Sequence, residues 1–177
     1  LDTIKKPEIR LQGFPPVINE LCRTLILGSM PGARSLSEQQ YYGNPRNHFW
    51  RLLYAVYAPG ATQDIQYGDK LDFTLRHGVG LWDVLAGCER QGSLDADIRN
   101  PEVNDFSELL TRYPVVERIF FNGQAAWQLY QKQVQPKLLK QGIGSEIRYG
   151  TLPSSSPARA MPFEAKLEAW RLISQGE

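Results

Sequence analysis

Apolar and polar positions along the chain alternate between short runs and helical periods. Thr24-Leu25-Ile26-Leu27 is a compact apolar run stopped by Gly28, which predicts a strand. A loop follows it, Gly28-Ser29-Met30-Pro31-Gly32. Phe49, Leu52, Leu53 and Val56 then recur at helical spacing and predict a helix over residues 45–57, stopped by Pro59 and Gly60. Asn44 is its candidate N-cap, with Pro45 at the first helical position. Residues 69–76 read as a second helix and residues 78–84 as a strand-like segment, whereas residues 88–104 read as polar and irregular. Phe106, Leu109 and Leu110 mark a third helix. Residues 116–121 form the strongest second strand, ending at Asn122-Gly123 and followed directly by a helix over 124–134. A further strand over 147–152 is broken by Pro153-Ser154-Ser155-Ser156-Pro157, and residues 163–173 read as a closing amphipathic helix. Residues 1–22, with Pro7, Pro15 and Pro16, read as an irregular lead-in.

Strands alternating with helices predict an α/β fold with a parallel sheet covered on both faces. No repeat or linker divides the chain, so residues 1–177 are read as one domain, long enough to bury a core. In such sheets ligands bind outside the carboxyl ends of the strands. The loops at 28–32, 122–123 and 152–157 all leave strand ends, so they are expected to converge on one crevice.

Composition narrows the chemistry. Twenty basic and nineteen acidic residues give a net charge of +1, which excludes a polybasic tail but not a local basic groove. Thirteen of the twenty basic residues are Arg, the side chain suited to bidentate phosphate contacts; ordinary surface ion pairs are the plainer explanation. Residues 28–62 hold a single acid, Glu38, against Arg34, Arg46 and Arg51, and residues 147–163 hold Arg148 and Arg159 with no acid. Cys22 and Cys88 are the only cysteines and His48 and His77 the only histidines, so no metal or iron–sulfur site is expected. The cysteines are read as inert thiols. The first ten residues do not resemble a signal peptide, and no run is long and apolar enough to span a membrane. A cytoplasmic enzyme, acting at the nucleoid, is the expectation.

The densest chemical stretch is Tyr41-Tyr42-Gly43-Asn44-Pro45-Arg46-Asn47-His48-Phe49-Trp50. A flipped nucleobase needs an aromatic face to stack on and amides to read its polar edge. Phe49 and Trp50 fit the helical apolar pattern and are read as core, as are Trp127 and Trp170. Either tyrosine has packing as its plainer role. Asn47 lies off the apolar face and has no structural reason visible in the sequence.

GSMPGARSL, YYGNPRNHFW, LWDVLAGCERQGSLDADI, FFNGQAAW and LPSSSPA occur in that order. The set resembles the hypoxanthine-DNA glycosylase family of the uracil-DNA glycosylase superfamily, over residues 13–170. The resemblance implies a three-layer α/β/α sandwich around a four-stranded parallel sheet. It implies hydrolysis of the N-glycosidic bond of a deaminated base in DNA, hypoxanthine first, with uracil or xanthine as further candidates. An abasic site would remain.

Carried over by position, Asn47 matches the family's catalytic Asn, which would hold or polarise the water that attacks C1′. Gly28, Ser29 and Met30 would lie against the flipped nucleotide, Tyr42 would stack on the base, and Asn122 would read its polar edge. Ser154, with Ser155 and Ser156, matches the second motif and a DNA-backbone contact. Arg159 would clamp a phosphate, and Arg34 and Arg46 are further DNA-binding candidates. Two departures stand out. Met30 occupies the place where uracil-specific relatives carry a polar catalytic residue, and Leu152 replaces the His or Asn before their Pro-Ser. Both favour the hypoxanthine branch over a mismatch-type uracil-DNA glycosylase. The duplex-inserting wedge has no clear match; Arg159 and Met161 are the candidates. The resemblance implies a monomer acting on damaged, double-stranded DNA with no cofactor.

An oxocarbenium-like sugar reacts with a positioned water without a strong base. No Lys lies in the motif loops, so amine attack and strand cleavage are not expected. Trp82-Asp83 and Asp95-Ala96-Asp97 resemble family positions near the crevice, and paired carboxylates suggest acid–base work, but Asp95 and Asp97 follow a Gly-Ser turn, where loop capping competes with it. Two other readings compete: a serine hydrolase, which lacks a G-x-S-x-G elbow, and a nucleotide-binding module, which lacks GxGxxG and the P-loop Lys.

Overall fold

The computed structural model describes residues 9–176. Its elements are, in chain order, β1 (Arg10–Gln12), β2 (Thr24–Gly28), α1 (Ala33–Glu38), α2 (Phe49–Tyr57), α3 (Tyr67–Arg76), β3 (Val79–Asp83), β4 (Leu85–Glu89), β5 (Arg99–Val103), α4 (Phe106–Arg112), β6 (Arg118–Asn122), α5 (Gln124–Gln133), α6 (Gln135–Gln141), β7 (Arg148–Leu152) and α7 (Phe163–Trp170). Short 3₁₀ turns occupy Asp95–Asp97 and Arg171–Ser174.

The central sheet has four strands in the order β3-β2-β6-β7, all parallel. Successive side chains of a strand point to opposite faces, so β2 and β6 feed both sides. Leu25, Leu27, Ile119 and Phe121 pack on one face with Phe106 and Leu109 of α4, Tyr130 of α5 and Leu138 of α6. Ile26, Phe120 and Leu152 pack on the other with Phe49, Trp50, Leu52 and Leu53 of α2, Phe73 of α3 and Trp170 of α7. A three-layer α/β/α sandwich results. Each fully buried Leu, Ile or Phe contributes about 1.5–3 kcal/mol, so the two apolar layers carry most of the driving force.

Several elements differ from the sequence expectation. The lead-in over 1–22 is not irregular throughout, although its first eight residues lie outside the described ones. Arg10–Gln12 pairs antiparallel with β4, and Val17 exchanges backbone hydrogen bonds with Leu81 at 2.9 and 2.8 Å, covering the free edge of β3. The stretch 88–104 completes β4 and forms β5, giving a second, antiparallel sheet β1-β4-β5. Its edge strands are short and polar, and Pro101 in β5 is tolerated there because an edge strand leaves backbone groups unpaired. The helix expected from Pro45 starts only at Phe49, because Asn44 organises a separate turn: its Oδ1 accepts from Arg46 N–H at 3.0 Å and its carbonyl from Asn47 N–H at 2.9 Å. α1 and α6 were not expected. α1 buries only Ser35, so it has no apolar stripe to read, and α6 restarts after the break at Val134. Trp170 is fully buried as expected, while Trp127 sits half-buried at the core's margin.

Candidate active site

The carboxyl ends of β2, β3, β6 and β7 meet at a crevice of about 300 Å³. Gly28, Ser29, Met30, Arg34, Tyr42, Asn47, Asn122, Ser154, Ser155 and Ser156 all line it, so ten of the sequence candidates come together. Arg46 lines an adjoining hollow that shares Asn47, and Arg159 is exposed on the serine loop, outside the crevice lining. A larger hollow of about 890 Å³ lies beside α4 and α6, away from the strand ends.

Asn122 is the knot of the site. Its Oδ1 accepts from Ser155 N–H at 2.8 Å, and its Nδ2 donates to Ser155 Oγ at 2.8 Å and Tyr42 Oη at 3.3 Å. One amide therefore ties the β6 end to the β7 loop and to the segment before α2. Gly123 makes the turn possible: its φ is +95°, and a Cβ there would stand 3.2 Å from Ser154 Cβ. Tyr42 is held at φ +54°, a conformation that strains a non-glycine residue, with its ring stacked on Phe49 at 3.8 Å between centroids. Burial, then the nearby Asp83, pushes its phenol above the ordinary range, while the bond from Asn122 opposes that shift.

Asn47 has a structural duty that the sequence did not reveal. Its Oδ1 accepts from Phe49 N–H at 2.9 Å, satisfying one of the free donors at the start of α2. This fixes which end of the amide is oxygen. One Oδ1 lone pair and the Nδ2 donors remain, and no hydrogen bond engages Nδ2 among the described residues. His48 is anchored next to it, its N–H donating to Ser155 carbonyl at 2.9 Å. Burial, Lys166 and Arg51 lower the His48 pKa, so the imidazole is neutral at pH 7, and its buried Nδ1 has no partner.

The first loop is braced from the smaller sheet. Arg90 donates to Pro31 carbonyl at 2.6 Å and to Gly92 carbonyl at 2.9 Å, and Ala33 N–H donates to Ser93 Oγ at 2.9 Å. Ser29 Oγ donates to Asp95 Oδ1 at 2.5 Å. Met30 is nearly buried and joins the core of one layer. Gly28 is required by proximity: a Cβ there would stand 2.5 Å from Asp83 Oδ1. Asp83 itself lines the crevice and is 4% exposed, and its Oδ2 has no hydrogen-bond partner. Burial above all, then Asp95, pushes its carboxyl up to about 7, with Arg90 opposing. Asp83 and Asp95 belong to stretches whose resemblance placed them near the crevice, though without an assigned role, and Arg90 had none. Only the pairing of β3 with β2 and the return of the 90–97 segment bring them there.

The serine loop is held from beneath. Trp170 Nε1 donates to Pro153 carbonyl at 2.9 Å, and Lys166 Nζ donates to Ser156 carbonyl at 3.2 Å. Ser154 Oγ accepts from Ser156 N–H at 3.1 Å. Lys166 is fully buried, and burial, then Arg159, lowers its pKa. Its amine thus reaches the loop from α7 but does not line the crevice. Arg34 pairs with Glu38 at 3.0 Å, and Arg51 stacks on Phe163 at 3.7 Å. The crevice lining thus holds the carboxyls of Asp83 and Asp95 and the Glu38-paired Arg34, while Arg46 and Arg159 stand exposed outside it. Among the described residues no group of three or more His, Cys, Asp or Glu is arranged to hold a metal ion, and no helix is long and apolar enough to cross a membrane.

Comparison with known proteins accords with this geometry. A protein 42% identical over 164 residues, covering 92% of this chain and 96% of its own, is the hypoxanthine DNA glycosylase of Methanosarcina acetivorans. The hypoxanthine DNA glycosylase of Methanosarcina barkeri is 37% identical over 162 residues, with the same coverage. A solution NMR structure from M. acetivorans, carried under a uracil DNA glycosylase name, superposes with a TM-score of 0.74 at 38% identity, covering 94% of this chain and 100% of that one. The family model of the uracil DNA glycosylase superfamily matches residues 15–174, and the chain belongs to that superfamily.

Proposed function

We propose that this protein is a monofunctional DNA glycosylase that hydrolyses the N-glycosidic bond of hypoxanthine in damaged double-stranded DNA and leaves an abasic site. The observation that carries the reading is the Asn47 amide: one end is fixed by α2, and the other is presented to a crevice that also holds Tyr42 and Met30. The Asn47 amide holds the water that attacks C1′, and a sugar with oxocarbenium character needs position more than basicity. Tyr42, backed by Phe49, offers the ring against which the flipped base lies. Asn122 spends its hydrogen bonds on Ser155 and Tyr42, so it serves the base by fixing the wall it meets. Arg159 and Arg46 meet phosphates, and the protein acts as a monomer in the cytoplasm.

Met30, apolar and nearly buried, stands where uracil-specific relatives carry a polar catalytic residue, which supports hypoxanthine as the substrate. The test is a strand-nicking assay on labelled duplexes and single strands carrying one hypoxanthine, uracil or xanthine, followed by alkali. Alkali-dependent cleavage at hypoxanthine with little at uracil is expected. Cleavage mainly at uracil overturns the choice of base, and cleavage at no base by folded protein overturns the glycosylase.

A further inference from the structure

Asp83 is unexplained by the roles given so far. It closes β3 at the crevice, is 4% exposed, and presses Oδ1 so close to the Gly28 backbone that no side chain fits at 28. Its Oδ2 is buried with no partner. A buried polar atom left unpaired costs about 1–3 kcal/mol, and such atoms recur at working sites, where substrate supplies the missing partner. The titratable and charged groups that face the carboxyl are Asp95 from the turn after β4, Arg90 from the end of that strand's hairpin, and the Tyr41 and Tyr42 hydroxyls from the segment before α2. Asp95 also lines the crevice and is tied to Ser29, so a second negative charge is held close by.

We propose that Asp83 is a catalytic residue, the proton donor to the departing base. The inference rests on the glycosylase reading above. As the C1′–N9 bond breaks, its electron pair goes to the base. The O–H bond of Asp83 breaks at the same time, its electrons stay on the carboxylate, and its proton goes to a ring nitrogen of the base other than N9. The water held by Asn47 forms the new bond to C1′ and releases its proton to solvent. After the base leaves, solvent reprotonates Asp83, so the net change is one water added across the bond. A purine such as hypoxanthine offers unprotonated ring nitrogens at N3 and N7, whereas the ring of uracil offers none. The same group thereby favours a purine over a pyrimidine leaving group.

Burial and the Asp95 charge hold the proton on Asp83 up to about pH 7, which makes the donor available where the enzyme works. Single-turnover excision of hypoxanthine is therefore expected to be level on the acid side and to fall about tenfold per pH unit above that point. Asp83→Asn keeps the shape but has no proton to give. It should lose about 10²–10⁴-fold at pH 6 and show no alkaline fall between pH 6 and 9, with DNA affinity retained. Asp95→Asn removes one of the two influences that raise Asp83 and should move the alkaline fall to lower pH, whatever it does to the rate itself. A wild-type rate that stays level across pH 6–9 overturns the proposal without reference to any variant. So does an Asp83→Asn profile that is merely lower but parallel to wild type. Wild-type protein that frees no base at any pH overturns the glycosylase reading instead, and the two failures are told apart by the wild-type control.

Discussion

The Asn122 side chain and Ser155 grip each other twice, through Oδ1 to the Ser155 N–H and through Nδ2 to its hydroxyl, both at 2.8 Å. Ser155 is 1% exposed, so neither of its groups has water to fall back on. Asn122→Ala leaves both unsatisfied and is expected to cost about 2–4 kcal/mol in denaturant unfolding, together with most excision activity. Asn122→Asp retains the grip, because the Ser155 hydroxyl then donates instead of accepting, and should recover most of the stability. Equal losses in the two variants would show that the amide's own donor is what matters.

Asn47 divides its amide between helix and crevice. Asn47→Ala is expected to lose about 10²–10⁴-fold in excision and about 0.5–2 kcal/mol in stability, with damaged-DNA binding preserved. Asn47→Asp keeps the acceptor for Phe49 N–H and should restore stability without restoring the rate, because the Nδ2 donors are gone. Thermal melting and single-turnover kinetics on the two variants separate the duties.

Arg159 stands exposed on the serine loop. Arg159→Ala is expected to weaken DNA binding uniformly across sequences and to reduce the slope of log K against log salt by about one. Binding titrations at several salt concentrations check this, and an unchanged slope removes Arg159 from the phosphate contacts.

Asp83 also leaves a mark on stability. Its folded pKa of about 7 lies above the ordinary 3.8, so the folded protein holds more protons than the unfolded chain between those values. Stability should therefore be unpenalised below about pH 4, decline as pH rises to about 7, and stay lowered above it, by an order of 4 kcal/mol. Asp83→Asn removes that slope. The melting temperature of the variant relative to wild type should be about 5–10 °C higher at pH 8 than at pH 5.

The central sheet was legible because β2 and β6 are apolar runs ended by turn residues and β7 is cut off by the proline–serine loop, and the exits of the three strands pointed to one crevice. The second sheet was not. β1 reads RLQ and β5 reads RNPEV, and such polar edge strands exist only through pairing with β4, which for β1 is a distant partner. Asn47, Tyr42 and the serines were legible through their ordered motifs. Their second partners were not: the Phe49 N–H under Asn47, the Asn122 amide on Tyr42 and the Lys166 amine beneath Ser156 are contacts of folding. Asp83 illustrates the limit best: resemblance placed it near the crevice, but its raised pKa comes from burial and from Asp95, which no neighbouring residue in sequence announces.

The anchoring of the serine loop by Trp170 and Lys166 bears on biosynthesis. Asn47, Tyr42 and Asn122 leave the ribosome well before α7, which carries both anchors. Until α7 docks, the 153–157 segment has nothing beneath it, and Ser155 is not yet fixed for Asn122 to hold. Since domains fold as units while the chain emerges, the nascent polypeptide stays inert toward damaged bases until α7 has emerged. Hydrolytic competence then waits on α7, so chains released by premature termination before that helix would excise no base.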